Sequence, residues 1–276
     1  MGRRMIRTMT KADIPGLMEL KNSAGWNQIE ADWENVLALE PSGCFVYEAD
    51  GRVAGSATVA SFGTKLAWIG MVLVLPDYRR RGIARALMEH SVSYCRERQI
   101  DCVKLDATDM GRPLYASLGF EDEQPIERWG LEGCNVEAVE APPRLASAES
   151  IFELDRESFG ADRTRMLAIL HQRFPEHAFG DAHGYGLGRP GFNAYFVGPV
   201  VAPDRAQAER FVRALLAQQQ GKRVFWDILP QHEAAAELAV RLGFAPLRKL
   251  VRMALPLRPP MGRPRNVWAT AGFEYG

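Results

Sequence analysis

The chain has 276 residues, 47% hydrophobic and 25% charged, which suits a globular protein with a sizeable core and room for two domains. Its 34 basic and 34 acidic residues cancel, so no global field draws it to nucleic acid or anionic lipid, and neither is expected as a partner. Cys44, Cys95, Cys102 and Cys134 form no CxxC pair and no Cys/His zinc spacing. They read as reduced thiols of a cytoplasmic protein without a metal site. The N-terminal stretch lacks an apolar h-region and no run approaches about 18 apolar residues, so neither a signal peptide nor a membrane span is expected. Ile6 stands where a myristoylation motif at Gly2 would want Ser or Thr.

In chain order, "TKADIPGLMELKN" predicts a helix capped by Thr10, with Asp13 three residues on. "EADWENVLALE" predicts a second helix ending before Pro41. "CFVYEADGRVAGSATVA" is two strand-like runs around Asp50-Gly51, a hairpin signal because such turns need positive φ. "LAWIGMVLVL" is a continuous apolar run closed by Pro76, the pattern of a strand buried on both faces. A helix with Ile83, Leu87 and Val92 at helical spacing follows, then strand "DCVKLDA", short helix "GRPLYASLG" and strand "FEDEQPIERW".

The Pro-Pro pair in "VEAVEAPPR" marks a linker over residues 136–144, between domains at 1–135 and 145–276. Beyond it the pattern returns. "VKLDATDMGRPLYASLGF" is echoed by "VFWDILPQHEAAAELAVRLGF", and "VLVLPDYRRRGIARALMEH" by "GPVVAPDRAQAERFVRALLAQ". Two matches in the same order argue for a duplicated fold.

The most informative segment is "PDYRRRGIARALMEH". A buried strand, a polar turn and a helix opening at Gly82 place unpaired N–H groups and a partial positive charge where an anion could sit. Arginines add forked donors suited to phosphate. A solvated cationic helix start is the alternative, although cations at a helix N-terminus are unfavourable unless an anion answers them.

Arg79-Arg80-Arg81-Gly82-Ile83-Ala84 resembles the Arg/Gln-x-x-Gly-x-Gly/Ala signature of the GCN5-related N-acetyltransferases (GNAT family). A second match follows: Thr108, Gly111, Leu114, Tyr115, Gly119 and Phe120 resemble that family's Asn-x-x-Ala-x-x-Leu-Tyr-x-x-x-Gly-Phe element. The resemblance implies an α/β fold of two tandem domains, each a mixed, mostly antiparallel sheet flanked by helices. It also implies acetyl-CoA as cosubstrate and direct attack of an amine on the thioester through a tetrahedral intermediate. Backbone groups of Val72, Leu73 and Val74 would bind pantetheine and the acetyl oxygen. Arg79, Arg80, Arg81, Gly82, Ile83, Ala84 and Arg85 would hold the pyrophosphate, and Thr108 and Gly111 would stand near the pantetheine. Thr108 replaces the commoner Asn.

Tyr115 is the implied acid. A phenol of ordinary pKa near ~10 stays protonated at neutral pH and can protonate a thiolate with a pKa of roughly 8–9. The base is unassigned: Val103 occupies a position that is glutamate in several relatives, and Asp106 and Glu30 read as structural. Trp26, Asn27 and Trp33 lie where the acceptor pocket is expected and hint at a small organic amine, although packing into the core is the more common fate of such tryptophans.

The second half lacks the working parts. Its clamp position, Asp204 to Phe211, has no glycine, and Glu209 would repel phosphate. Ala239 stands at the Tyr115 position, and His232, at the Thr108 position, reads as a packed or capping residue. This half should complete the acceptor cleft or set oligomer contacts, including a homodimer. The chain resembles a bacterial family of two-domain acetyltransferases acting on a small primary amine. A protein or peptide acetyltransferase and a non-catalytic acyl-CoA sensor remain alternatives.

Overall fold

The computed structural model describes residues 5–137, 140–259 and 261–276, so Ala138 and Val139 of the expected linker lie outside the described residues. The first half runs β1 (Met5–Thr8), α1 (Ile14–Ala24), α2 (Glu30–Leu39), β2 (Cys44–Ala49), β3 (Arg52–Phe62), β4 (Leu66–Val74), α3 (Ile83–Glu97), β5 (Val103–Ala107), α4 (Arg112–Ser117) and β6 (Glu121–Leu131). The second runs α5 (Phe152–Phe159), α6 (Thr164–Arg173), β7 (Ala178–Gly180), β8 (Tyr185–Arg189), β9 (Tyr195–Val201), α7 (Arg205–Ala217), β10 (Val224–Ile228), α8 (Glu233–Arg241), β11 (Ala245–Leu255) and β12 (Val267–Ala269).

Local chemistry sets the turns as the sequence predicts. The Asp13 carboxylate accepts the Thr10 backbone N–H at 2.8 Å, starting the first helical segment. Asp50 and Gly51 both take positive φ, 53° and 76°, the backbone that closes a two-residue hairpin.

Twelve strands form one sheet in the order β1-β2-β3-β4-β5-β11-β6-β10-β9-β8-β7, with β12 pairing β9. The order contains an exchange. β11, from the second half, lies between β5 and β6 of the first, and β6 in turn pairs β10 of the second. Each half therefore receives its sixth strand from the other. The repeat in the sequence predicts two similar units but carries no signal for this exchange, because a terminal strand has the same pattern whichever edge it joins.

A matched pair of ion pairs fastens the exchange. Asp106 on β5 receives Nε and Nη2 of Arg252 on β11 at 2.9 and 3.2 Å. Asp227 on β10 receives the same two donors of Arg128 on β6, both at 2.7 Å. Both aspartates are buried, and burial pushes their carboxyls up while the arginine opposes it. The echo between "VKLD" and "VFWD" is thus a duplicated buried anchor for the other half's strand.

Three main clusters form the core. One packs α3 against the first half's sheet through Ile83, Leu87, Met88 and Val92. Another holds Trp226, Phe211 and Leu215 of the second half. The third crosses between halves, with Trp33, Trp68 and Leu17 packing beside Leu167, Tyr185 and Tyr275. All four cysteines are free and buried, and burial pushes the Cys44 and Cys95 thiols up to about 12. Among the described residues no helix is long and apolar enough to cross a membrane.

Candidate active site

The site begins with a break in β4. Between Gly70 and Leu73 that strand carries one more residue than its partner β3, and Met71 takes φ 48° to accommodate it. Ser56 holds the bulge by donating its hydroxyl to the Met71 carbonyl at 2.8 Å. β4 and β5 pair in parallel only at Ala67↔Val103 and Trp68↔Lys104, and beyond these residues the cavity opens between them. Ile69 to Val74 line one side and Leu105 and Asp106 the other. The cavity holds about 620 Å³, and Val72, Leu73 and Val74 are among the residues that line it.

At its outer end a second hollow of about 290 Å³ lies over the start of α3, lined by Arg79, Arg80, Gly82, Ile83, Ala84 and Arg85. Gly82 is the N-cap at φ 79°, and no side chain caps the helix. The first N–H groups of a 15-residue helix thus face this hollow without an intrahelical acceptor. Glycine supplies the left-handed backbone that a branched residue would resist.

The arginines separate in role. Arg79 hydrogen-bonds the Val74 carbonyl at 3.2 Å and borders both hollows. Arg85 is steadied by the Ser117 hydroxyl at 2.8 Å. Arg81 departs from the expectation: its guanidinium reaches the Asp77 carbonyl at 2.6 Å, lies over the Tyr78 ring, and does not line the hollow. Alternating direction along the turn sends this side chain away from its neighbours.

Tyr115 lies on α4, facing the cavity. Its ring rests over Gly111, where a Cβ would come within 2.8 Å of it. Glycine here makes room for the phenol. Burial pushes the Tyr115 hydroxyl up to about 12. The Thr108 hydroxyl lines the cavity but accepts the Gly111 N–H at 3.2 Å, so its lone pairs are partly committed to the turn.

The acceptor end differs more from expectation. Trp26 lines the cavity. Trp33 does not: it is fully buried in the core between the halves, on the inward face of α2. Asn27 borders the cavity, but its amide is a clamp on the other half, donating to the Ala194 carbonyl and accepting the N–H groups of Asn193 and Ala194. Asp106 is held by Arg252, Glu30 is exposed, and Val103 is buried, so none is a free base.

A second carboxylate lining the cavity, besides the Arg252-held Asp106, is Glu274, which the sequence did not single out. The C-terminal segment folds back onto β4: the Trp68 indole donates to the Phe273 carbonyl at 3.1 Å. A Cβ on Gly70 would meet the Glu274 Cα at 2.9 Å, so glycine permits this approach. Arg189 bonds both Glu274 Oε1 at 2.5 Å and Asp32 at 3.2 Å, while Glu274 Oε2 meets only Gln28 at 3.3 Å. Burial pushes Asp32 up to about 6.

The repeated helix start of the second half is closed. The Asp204 carboxylate accepts the Gln207 N–H at 2.9 Å, occupying the anion position with the chain's own side chain. Glu209, expected to repel phosphate, is instead neutralised by Arg213 and Arg241. His232 caps α8, its Nδ1 accepting from Ala235 while Nε2 donates to the Arg265 carbonyl. Ala239, at the Tyr115 position, is buried in the core.

A split strand pair opening onto an uncapped helix start defines the acyl-CoA-dependent acetyltransferase class, and comparison with known proteins agrees. The acetyltransferase (GNAT) family profile matches residues 14–120, and a second GNAT domain profile matches residues 151–269. The uncharacterized N-acetyltransferase YitH of Bacillus subtilis is 26% identical over 243 residues, covering 84% of each chain. A crystal structure of a putative acetyltransferase from Pyrococcus horikoshii superposes with a TM-score of 0.85 at 23% identity, covering 99% of this chain and 96% of that one. A tandem GNAT protein from the clavulanic acid biosynthesis pathway shares the fold at a TM-score of 0.63 and 17% identity, over 92% and 98% of the two chains. The chain is an acetyltransferase of the GNAT family in its tandem form, a family that uses acetyl-CoA. Among the described residues no group of three or more His, Cys, Asp or Glu is placed to hold a metal ion.

Proposed function

We propose that the first half transfers acetyl from acetyl-CoA to the primary amine of a small molecule. The observation that supports this is a pair of adjoining hollows, one over the α3 start and one along the β4 bulge and Tyr115, the larger also walled by the second half through Arg223, Phe225 and Phe273. Such a wall favours a compact acceptor over an extended polypeptide.

In this reading the N–H groups at the α3 start, with Arg79, Arg80 and Arg85, seat the pyrophosphate. The bulged backbone at Val72 orients the acetyl carbonyl. The amine nitrogen forms the new C–N bond as the C–S bond breaks, Tyr115 gives its proton to the departing sulfur, and the Glu274 carboxylate receives the proton lost by the amine. The raised pKa of Tyr115 keeps its proton available throughout the neutral range.

Acetyl-CoA-dependent thiol release measured across amines, amino acids, polyamines, aminoglycosides and peptides tests the proposal. Transfer to peptides but to none of the small amines would overturn it.

The helix start carries its own expected result. Gly82→Glu should weaken CoA binding by at least about tenfold, roughly 1.4 kcal/mol, since it puts negative charge and strained left-handed backbone beside the phosphates. Direct titration with CoA reads this, and unchanged affinity in a folded variant would remove the phosphate seat from Gly82.

Stoichiometry separates the halves. Because Asp204 fills one helix start while Gly82 leaves the other open, one CoA per chain is expected by calorimetric titration of the intact protein. The intact chain is required: a second half expressed alone would lose β6 and leave Asp227 buried without Arg128. A second saturable site would contradict the reading of Asp204.

A further inference from the structure

The acceptor end of the cavity carries positive charge that the transfer chemistry does not use. Arg248 on β11 lines it, and among the described residues that guanidinium has no hydrogen bond or ion pair. Its cross-strand neighbour on β6 is Arg128, which already takes both oxygens of Asp227. Two arginines therefore pair across adjacent strands, and the nearby carboxylate, Asp227 on β10, lies beyond Arg128 and is taken by it. Arg248 is exposed overall, and desolvation where it meets the wall, with the neighbouring Arg128 charge, holds its pKa below the ordinary value. Arg223 borders the same wall, stacked over Phe225, with Glu132 beside its Nε. The same cavity is lined by Glu274, whose Oε2 is, among the described residues, the lining carboxylate oxygen held by no arginine.

This polarity has a chemical reading, which rests on the proposed amine acetylation. An exposed guanidinium on a cavity wall with no protein partner is open to an oxyanion, which it binds in forked, charge-assisted fashion. The Glu274 carboxylate in the same lining is matched by an ammonium. We propose that the acceptor is an amine bearing an anionic oxyacid group, carboxylate or phosphate, with that group at Arg248 and Arg223 and its amine at Glu274. The second half is then a specificity element: its β11, β10 and C-terminal segment supply these contacts, while the first half supplies the coenzyme seat. Strand exchange is what lays β11 against β5 and so places Arg248, three residues before that pairing begins, in the cavity lining.

Matched acceptors test this: amino acids against their amides and decarboxylated amines, and amino-sugar phosphates against the parent amino sugars. Each is followed by thiol release and by calorimetric binding to the CoA-loaded protein. The anionic member of a pair should be favoured by on the order of tenfold to a hundredfold, the scale of one charge-assisted contact. The two families of pairs show whether carboxylate or phosphate is the source. Arg248→Met should cost the anionic member at least about ten times more in KM than its neutral counterpart, and Arg248→Lys should restore part of the preference. Equal handling of paired acceptors by the parent protein, or equal losses for both in Arg248→Met, would overturn the proposal while leaving amine acetylation intact. A panel in which neutral amines are acetylated and no anionic amine binds would overturn it too. Absence of thiol release from every amine would sink the acetylation reading instead; the binding preference would then still decide whether Arg248 selects an anion.

Discussion

Tyr115→Phe is expected to lower turnover about 100-fold or more while leaving CoA affinity nearly unchanged, the scale of a lost general acid. The substitution removes one hydroxyl and keeps the ring that rests on Gly111, so packing against Phe120 survives. The pH dependence gives an independent check. Burial raises the Tyr115 pKa to about 12, so the protonated donor persists as pH rises and is lost only near that value. The parent enzyme should therefore show no falling alkaline limb in kcat below about pH 10 from this group. Steady-state turnover of both proteins measures the effect. A Phe variant working at the parent rate would mean that water protonates the sulfur and Tyr115 serves only as packing.

Arg252→Ala should destabilise the whole protein by about 3–5 kcal/mol, the usual cost of leaving a buried carboxylate without its partner. Asp106 would remain in the sheet with no guanidinium, and β11 would lose its anchor to β5. Because β11 and β6 interlock the halves, the loss should appear as one cooperative transition in denaturant, shifted to a lower midpoint, rather than as selective loss of the second half. Removing both charges, as in Asp106→Leu with Arg252→Met, should recover most of the loss, since apolar residues of similar volume often replace a buried pair without penalty. A single Arg252→Ala within about 1 kcal/mol of the parent would mean that water or a neighbouring donor serves Asp106.

How much of this was legible beforehand follows from the range of the forces involved. The proposed coenzyme seat is local. Strand, bulged end, arginine-rich turn, Gly82 and helix occupy consecutive residues, and the need for an open N-terminus and positive φ is written in residue types. Tyr115 and Gly111 are likewise four residues apart on one short helix. The repeat, the Asp50-Gly51 hairpin and the capping role of His232 were readable for the same reason. Arg81 was misjudged because a run of like residues does not say which way each side chain turns. Trp33 was misjudged because the α2 face that meets the second half is set by packing across residues more than a hundred positions apart. Glu274, Asn27 and Arg248 owe their places to long-range events: a C-terminal segment laid on Gly70, a loop clamped at Asn193, and a strand passed from one half to the other. The sequence by itself determined which elements form, and it holds in the first half the glycine and arginines on which the proposed coenzyme seat rests and lacks that glycine in the second. Only the tertiary structure decided what walls the acceptor, because strand pairing reads the alternation of a strand and not the half of the chain from which it comes.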